Sequence, residues 1–492
     1  MMRFLILLLF AQTAHAQLAD GLLDIQTEYD LLGGTLVVFC ADELAVELPF
    51  GTANVAQNRP VTDSTLFRIA SISKTVTAIA VHQLVEDGAL ELDADIGGVL
   101  DYAVRNPNFP DQPITARHLL SHTSGLVDGS TYGSFLNATF GNPVPPLANL
   151  LQPTGSYYST SNFLNQAPGT YFSYSNLNYG ILGTLVEAAS GQRFDHYVRA
   201  EILDPLGVAG HFNPALLPDV DQVATLYRKP NGVWTPQSDN FSGTAPNDAP
   251  ANYLPGTNAF RFAPQGGLRV SGAGLARIFQ EFLRPDPILL EATTIDTLFA
   301  AAWTDDGTNG NNYYGLFRSW GLGVHRITQT PDADMILPNH PDLVGHPGEA
   351  YGLISDAYVD RAAGFGFVFM TNGSGVGYNV PGNSAWYEVE RAVFDLLAAA
   401  EPSTLCATVS ASNPVLASPV VSVQPVPARS EITLRIAEDL LGSEALLFDA
   451  TGRLVDRWEP HGRRSERSVA QLSSGVYVLR VGAAATRLVV VR

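Results

Sequence analysis

Apolar, β-branched stretches stand towards both ends of the first 400 residues, with helical patterns between them, and this order constrains the fold most. Gly33 to Val38 and Leu44 to Gly51 are separated by Ala41-Asp42-Glu43, which predicts a hairpin. Gly321 to Ile327, Gly352 to Val359 and Gly364 to Thr371 read as strands, and Ala385 to Ala400 as a closing amphipathic helix. From Ser71 to Gly88, apolar residues at Ile72, Val76, Ile79, Ala80, Val81 and Leu84 recur at helical spacing until Asp87-Gly88 stops them. The region up to about Leu206 reads as mainly helical, except for Val127 to Ser161, whose Asn, Gly, Ser and Tyr content predicts a long loop. An α+β body follows, with its own two ends expected to share one sheet.

A chain of 492 residues exceeds what one core usually covers. After Ala400 the composition turns to Ala, Ser, Pro and Val, and from about Val420 short alternating runs such as Ile432 to Ile436 and Val476 to Val481 predict a small β-sandwich. Met1-Met2-Arg3, the apolar run Phe4 to Phe10 and Ala14-His15-Ala16 have the order of a signal peptide, with the mature chain starting near Gln17. The expected divisions are therefore 1–16 signal, 17–404 body, 405–419 linker and 420–492 tail. Export permits disulfides, and there are two cysteines, Cys40 and Cys406. The body's two ends could bring them together, or Cys40 could be a lone buried thiol. A net charge of -20 argues against nucleic acid or an anionic membrane surface as partner.

Only Lys74 and Lys229 appear as lysines, and Lys74 closes the tetrad Ser71-Ile72-Ser73-Lys74 at the start of the predicted helix. Residues three apart share a helix face, so the Lys74 amine stands beside the Ser71 hydroxyl. The helix N-terminus adds N–H groups and positive potential suited to an oxyanion and to a lowered lysine pKa. Tyr174-Ser175-Asn176 follows Pro168-Gly169-Thr170. A tyrosine with a pKa of about 10 serves as a base near neutrality only when cations or donors stabilise its phenolate, and Lys74 is a candidate cation. Asn176 can accept from that lysine and donate to substrate. Gly345-His346-Pro347-Gly348 is the third element, a histidine expected on an edge strand where it polarises Tyr174 or relays a proton. The glycine beside it lets a substrate backbone approach.

These elements and the phrases around them resemble the serine β-lactamase-like, penicillin-binding family, which includes class C β-lactamases, DD-peptidases, D-aminopeptidases and carboxylesterases. Phe67 to Lys74, Ile114 to Leu126, Pro168 to Gly183, Ile202 to Gly207, Gly266-Gly267-Leu268 and Gly345 to Gly348 carry the resemblance, from about Gly33 to Leu397. It implies an antiparallel sheet flanked by helices, with a helical subdomain. It further implies an acyl-enzyme on Ser71, with Lys74 and Tyr174 sharing the general-base role and Asn176 and His346 assisting. The backbone N–H groups of Ser71 and Glu349 would form the oxyanion hole, Gly348 would receive substrate, and neither metal nor organic cofactor is required. Class C β-lactamases have Lys-Thr-Gly where this chain has His346-Pro347-Gly348, and Glu349 brings a negative charge. Both departures are expected to weaken recognition of a substrate carboxylate, which places ester or D-amino-acid amide substrates ahead of β-lactams. A true β-lactamase and a non-catalytic binding or scaffold protein on the same fold are the alternatives.

The tail has its own resemblance. Pro425-Val426-Pro427-Ala428, Phe448 to Val455, Leu472 to Tyr477 and the basic end Arg487 to Arg492 resemble a type IX secretion sorting domain, with Pro425-Val426-Pro427 replacing its usual Pro-Asn-Pro. The implied partners are that secretion machinery and a small-molecule or peptide substrate. The implied destination is the cell surface or medium, reached through the periplasm.

Overall fold

The computed structural model describes residues 2–406, 421–424, 428, 430–436, 440–450, 452–462, 464–482 and 484–490. Met1, most of the expected linker, Pro425-Val426-Pro427, and Val491-Arg492 lie outside the described residues.

The body is built on one antiparallel sheet, as the pattern of its two ends predicts. In chain order its strands are β1 (Gly33–Cys40), β2 (Leu44–Asn54), β3 (Arg59–Pro60), β4 (Trp303–Thr304), β5 (Ser319–Trp320), β6 (His325–Arg326), β7 (Leu343–Ala350), β8 (Leu353–Asp360) and β9 (Phe365–Thr371). Across the sheet they run β3-β2-β1-β9-β8-β7-β6-β5-β4. The N-terminal hairpin therefore pairs with the last strand of the body, Val37 opposite Val368, and the body's two ends close on each other. Every residue of β1 is buried, because both sheet faces are covered. Val37 and Phe39 belong to the core shared with the helices of the middle region, whereas Leu36, Val38 and Cys40 face α1 (Met2–Glu28) and the C-terminal helix Glu388–Ala400.

On the first of these faces α2 (Ser73–Glu86) packs beside α3 (Asn176–Ser190), the centre of the helical region. We label the C-terminal helix α4. Its first turn is closed by the Glu390 carboxylate, which accepts from Tyr387 N at 2.7 Å. Within α1, Leu18, Leu22 and Ile25 are buried on one stripe against the α4 side, the four- and three-residue spacing of a single helix face. That stripe begins beyond the expected cleavage site at Ala16. No described helix is long and apolar enough to cross a membrane.

Three expectations change in detail. The strand expected over Gly321 to Ile327 is reduced to β6, since Gly321 to Val324 form a tight turn closed by Gly321 N donating to Val324 O. The expected loop from Val127 to Ser161 contains helices at Tyr132–Ala138 and Ala148–Leu151, anchored by buried Phe135, Leu150 and Leu151. Those apolar anchors outweigh the turn-forming residues around them. The helix expected from Ser71 is split, with a 3-10 turn at Ala70–Ile72 before α2.

Cys40 and Cys406 are bridged, with Cα atoms 5.5 Å apart and a sequence separation of 366. The open question of the two cysteines thus resolves as a disulfide, which carries the packed body to Cys406. The tail forms a three-stranded and a four-stranded sheet around Ile432, Leu434, Leu447, Leu479 and Leu488, matching the expected small two-sheet module.

Candidate active site

Ser71 sits in the 3-10 turn Ala70–Ile72, held where the face of the sheet meets α2. Its predecessor Ala70 has φ +45°, a left-handed conformation that a non-glycine residue adopts at a cost. One turn later Lys74 projects from α2 and is completely buried. Its Nζ lies 3.0 Å from Ser71 Oγ, 2.8 Å from Asn176 Oδ1 and 2.8 Å from the carbonyl oxygen of Gln265. Desolvation lowers the Lys74 pKa to about 7, opposed by the negative charge of Asp128. The other lysine, Lys229, is spent on a surface ion pair with Asp30.

Tyr174 and Asn176 flank the start of α3. The Tyr174 ring centroid is 4.8 Å from Lys74 Nζ. Desolvation raises the phenol well above the ordinary tyrosine value, and the nearby Ser71 hydroxyl only partly offsets this. The phenolate that a general-base Tyr174 needs is therefore not favoured at rest, and the residue rests protonated.

His346 lies on β7, buried, with its ring centroid 6.0 Å from that of Tyr174 and 5.2 Å from that of Trp320. Its Nδ1 is 2.6 Å from the Pro347 carbonyl oxygen, which requires the proton on Nδ1 and leaves Nε2 as a buried acceptor without a protein partner. Desolvation and Lys74 push its pKa well below the usual histidine value, so it is neutral rather than a cation.

Strand alternation decides where the next residues point. Gly348 pairs with Ser355, whose Oγ donates to Ile69 O, so Gly348 and His346 face the side of the sheet on which Ser71 lies. A Cβ at Gly348 would meet Ser355 Oγ at 2.4 Å and Ile69 O at 2.7 Å, which explains glycine at this seam. Pro347 and Glu349 face the other way. The Glu349 carboxylate accepts from Tyr387 OH at 2.5 Å, behind the sheet. The expectation that its charge repels a substrate carboxylate is corrected accordingly: the side chain points away from Ser71. β6 pairs with β7 only at Val344 and Gly345, so the edge of β7 from His346 to Ala350 has no strand neighbour on that side.

Two residues of the site went unread in the sequence. Asp128 opens the stretch expected as loop, and its carboxylate accepts from Leu177 N at 2.8 Å, Ser175 Oγ at 3.0 Å, Asn176 N at 3.2 Å and Asn176 Nδ2 at 2.8 Å. His122 lies under Tyr174, ring centroids 4.5 Å apart, and accepts from Ser175 N at 3.1 Å. A signal existed for both: His122 lies within the phrase Ile114 to Leu126, and Asp128 two residues past it. Asn176 also departs from expectation, because one of its two amide hydrogens is committed to Asp128. Among the described residues no group of His, Cys, Asp and Glu side chains is arranged to hold a metal ion.

Residues 11–389 match the Beta-lactamase family, and residues 422–491 match the Secretion system C-terminal sorting domain. Esterase EstB of Burkholderia gladioli is 29% identical over 368 residues, which is 72% of this chain and 89% of that protein. Penicillin-binding protein 4 of Amycolatopsis lactamdurans is 32% identical over 195 residues, 39% of this chain and 48% of that protein. A D-aminopeptidase of Gluconobacter oxydans is 28% identical over 180 residues, 36% of this chain and 31% of that protein. The matched part thus spans less than half the length of these last two relatives. Among solved structures, EstCE1, a hydrolase with promiscuous acyltransferase activity, has a TM-score of 0.58 at 20% identity, covering 81% of this chain and 100% of its own. That likeness concerns the fold.

Proposed function

We propose that this chain, which belongs to the Beta-lactamase family, is an exported serine hydrolase that cleaves uncharged ester or D-amino-acid amide bonds through an acyl-enzyme on Ser71. The observation that carries this reading is the environment of Lys74. Two of its three neighbours, Asn176 Oδ1 and Gln265 O, can only accept hydrogen bonds. A free amine has two N–H groups for them, and its lone pair then faces the Ser71 hydroxyl at 3.0 Å. With a pKa of about 7 the amine is free in half the molecules near neutrality.

The proton balance closes with Tyr174 as its partner. Ser71 Oγ attacks the substrate carbonyl as its proton passes to Lys74, and protonated Tyr174 gives its proton to the leaving oxygen or nitrogen. The ammonium formed on Lys74 then stands close to the new phenolate and stabilises it. In the second half, water attacks the acyl-enzyme, Tyr174 takes back a proton from that water, and Lys74 returns its own to Ser71. The N–H groups of Ser71, in the 3-10 turn, and of Glu349, on the open edge of β7, would hold the oxyanion.

Substrate class follows from charge. His346 offers a neutral acceptor, and Arg68 is occupied by Gly266 O at 3.0 Å and Ser238 Oγ at 3.2 Å, with its guanidinium over the Tyr351 ring. A substrate carboxylate would lack the charge-assisted bond that is worth roughly 1.5 to 3 kcal/mol. The identities with an esterase and a D-aminopeptidase support the same choice. We expect kcat/KM for a neutral short-chain p-nitrophenyl ester to exceed that for a chromogenic cephalosporin by about tenfold or more, at one pH and salt concentration. A cephalosporin rate equal to or above the ester rate would promote the β-lactamase alternative.

The C-terminal match indicates secretion or display at the cell surface. We read the route as type IX export after removal of residues 1–16, with 17–404 as the hydrolase domain, 405–419 as linker and 420–492 as sorting module.

A further inference from the structure

We infer that Asp128 is a positioning residue of this site: its Oδ2 fixes which way the Asn176 amide faces, and so which atom Lys74 meets. The inference rests on the reading of Lys74 as the group that acts on Ser71. An asparagine amide can present its oxygen or its NH2 group with nearly the same shape, so its orientation must be set by a neighbour. Lys74 needs the oxygen, which lies 2.8 Å from its Nζ. Asp128 Oδ2 accepts from the Asn176 Nδ2 at 2.8 Å and from its backbone N at 3.2 Å, which holds the oxygen on the Lys74 side. The second oxygen, Oδ1, accepts from Leu177 N at 2.8 Å and from Ser175 Oγ at 3.0 Å, so the carboxylate is fixed at the first turn of α3.

Charge adds a second consequence. The groups around Lys74 are the rings of Tyr174 and Tyr179, at 4.8 Å and 5.6 Å from Nζ, and the imidazoles of His122 and His346, both held neutral. Asp128 is the carboxylate whose field Lys74 feels, and it acts against desolvation. One anion thus keeps the amide oriented and prevents the lysine from losing its proton too readily.

The test is a cycle of three full-length variants, assayed on a neutral ester across pH. In Asp128→Asn the new NH2 group opposes the Asn176 donors, so the Asn176 amide turns and presents hydrogens to Lys74. We expect kcat/KM to fall about 10- to 100-fold, and the acid limb of the profile to move to lower pH as the anion is lost. Asn176→Asp alone sets two carboxylates against each other and falls at least as far. In the double variant the amide at position 128 donates to the carboxylate at position 176, which in turn accepts from Lys74. Activity should recover at least about tenfold over Asn176→Asp alone, with the acid limb about one unit above that of the wild type. This comparison does not require Asp128→Asn to fold alone. A double variant no better than Asn176→Asp, or Asp128→Asn with wild-type activity and profile, overturns the inference. A wild-type profile without an acid limb near 7 contradicts Lys74 as base instead, while recovery in the double variant still reads Asp128.

Discussion

Ser71 and Lys74 could be paired from the sequence because three residues on a helix is a fixed geometry, and a chain with two lysines draws attention to each. What the sequence leaves open is orientation. Glu349 illustrates this: its number places it one residue past Gly348, but only strand pairing shows that Gly348 faces the Ser71 side and Glu349 meets Tyr387 behind the sheet. The protonation of Tyr174 and His346 was equally hidden, because desolvation depends on residues far along the chain. We therefore expect Glu349→Ser to leave the ratio of ester to cephalosporin kcat/KM within about twofold of the wild type. A ratio narrowed tenfold would mean that the Glu349 charge reaches the substrate after all. Asp128 stayed unread for a different reason, since an aspartate in a Gly- and Ser-rich stretch has the look of an ordinary turn residue.

At the level of elements, the hairpin, α2, the last strands and the closing helix followed from periodicity, whereas short elements such as β6 were set by tertiary contacts. One element holds buried chemistry that periodicity could not expose. Burial raises two carboxyls on the α4 side of the sheet: Asp356 on β8, which also feels the charge of Glu390, and Glu390 on α4, which also feels that of Glu349 and is pushed up to about 8. A carboxyl raised by folding stabilises the fold fully below its unfolded pKa, and that contribution disappears as pH rises through the folded value. Stability should thus decline from about pH 5 to about pH 8.5, to a degree that Glu390→Gln reduces while keeping the acceptor for Tyr387 N. Thermal melts of both proteins at the two pH values decide it: the variant should gain on the wild type as pH rises. A constant difference between them would show that Glu390 is ionised throughout.

Across the whole molecule, sharing one sheet between the body's two ends gives Ser71 its setting: the 3-10 turn Ala70–Ile72 brings Ser71, α2 brings Lys74, α3 brings Asn176, and β7 brings His346 and Gly348. The Cys40–Cys406 bridge ties those ends where the body passes into the tail. Because the tail has its own buried core around Leu434, Leu447 and Leu479, its removal should leave the hydrolase folded. Deleting residues 420–492 is expected to give a purified enzyme with wild-type kcat/KM that is no longer exported; lost activity in that protein would make the tail part of the catalytic unit. The central claim, that Ser71 carries the acyl group and Lys74 takes its proton, is tested most directly by labelling with a neutral fluorophosphonate, followed by intact-protein mass spectrometry over a pH series. The account predicts one adduct on the Ser71 peptide, formed at a rate that rises through about pH 7 as Lys74 loses its proton, and no adduct in Ser71→Ala. An adduct that persists in Ser71→Ala, or a labelling rate flat across that range, would contradict it.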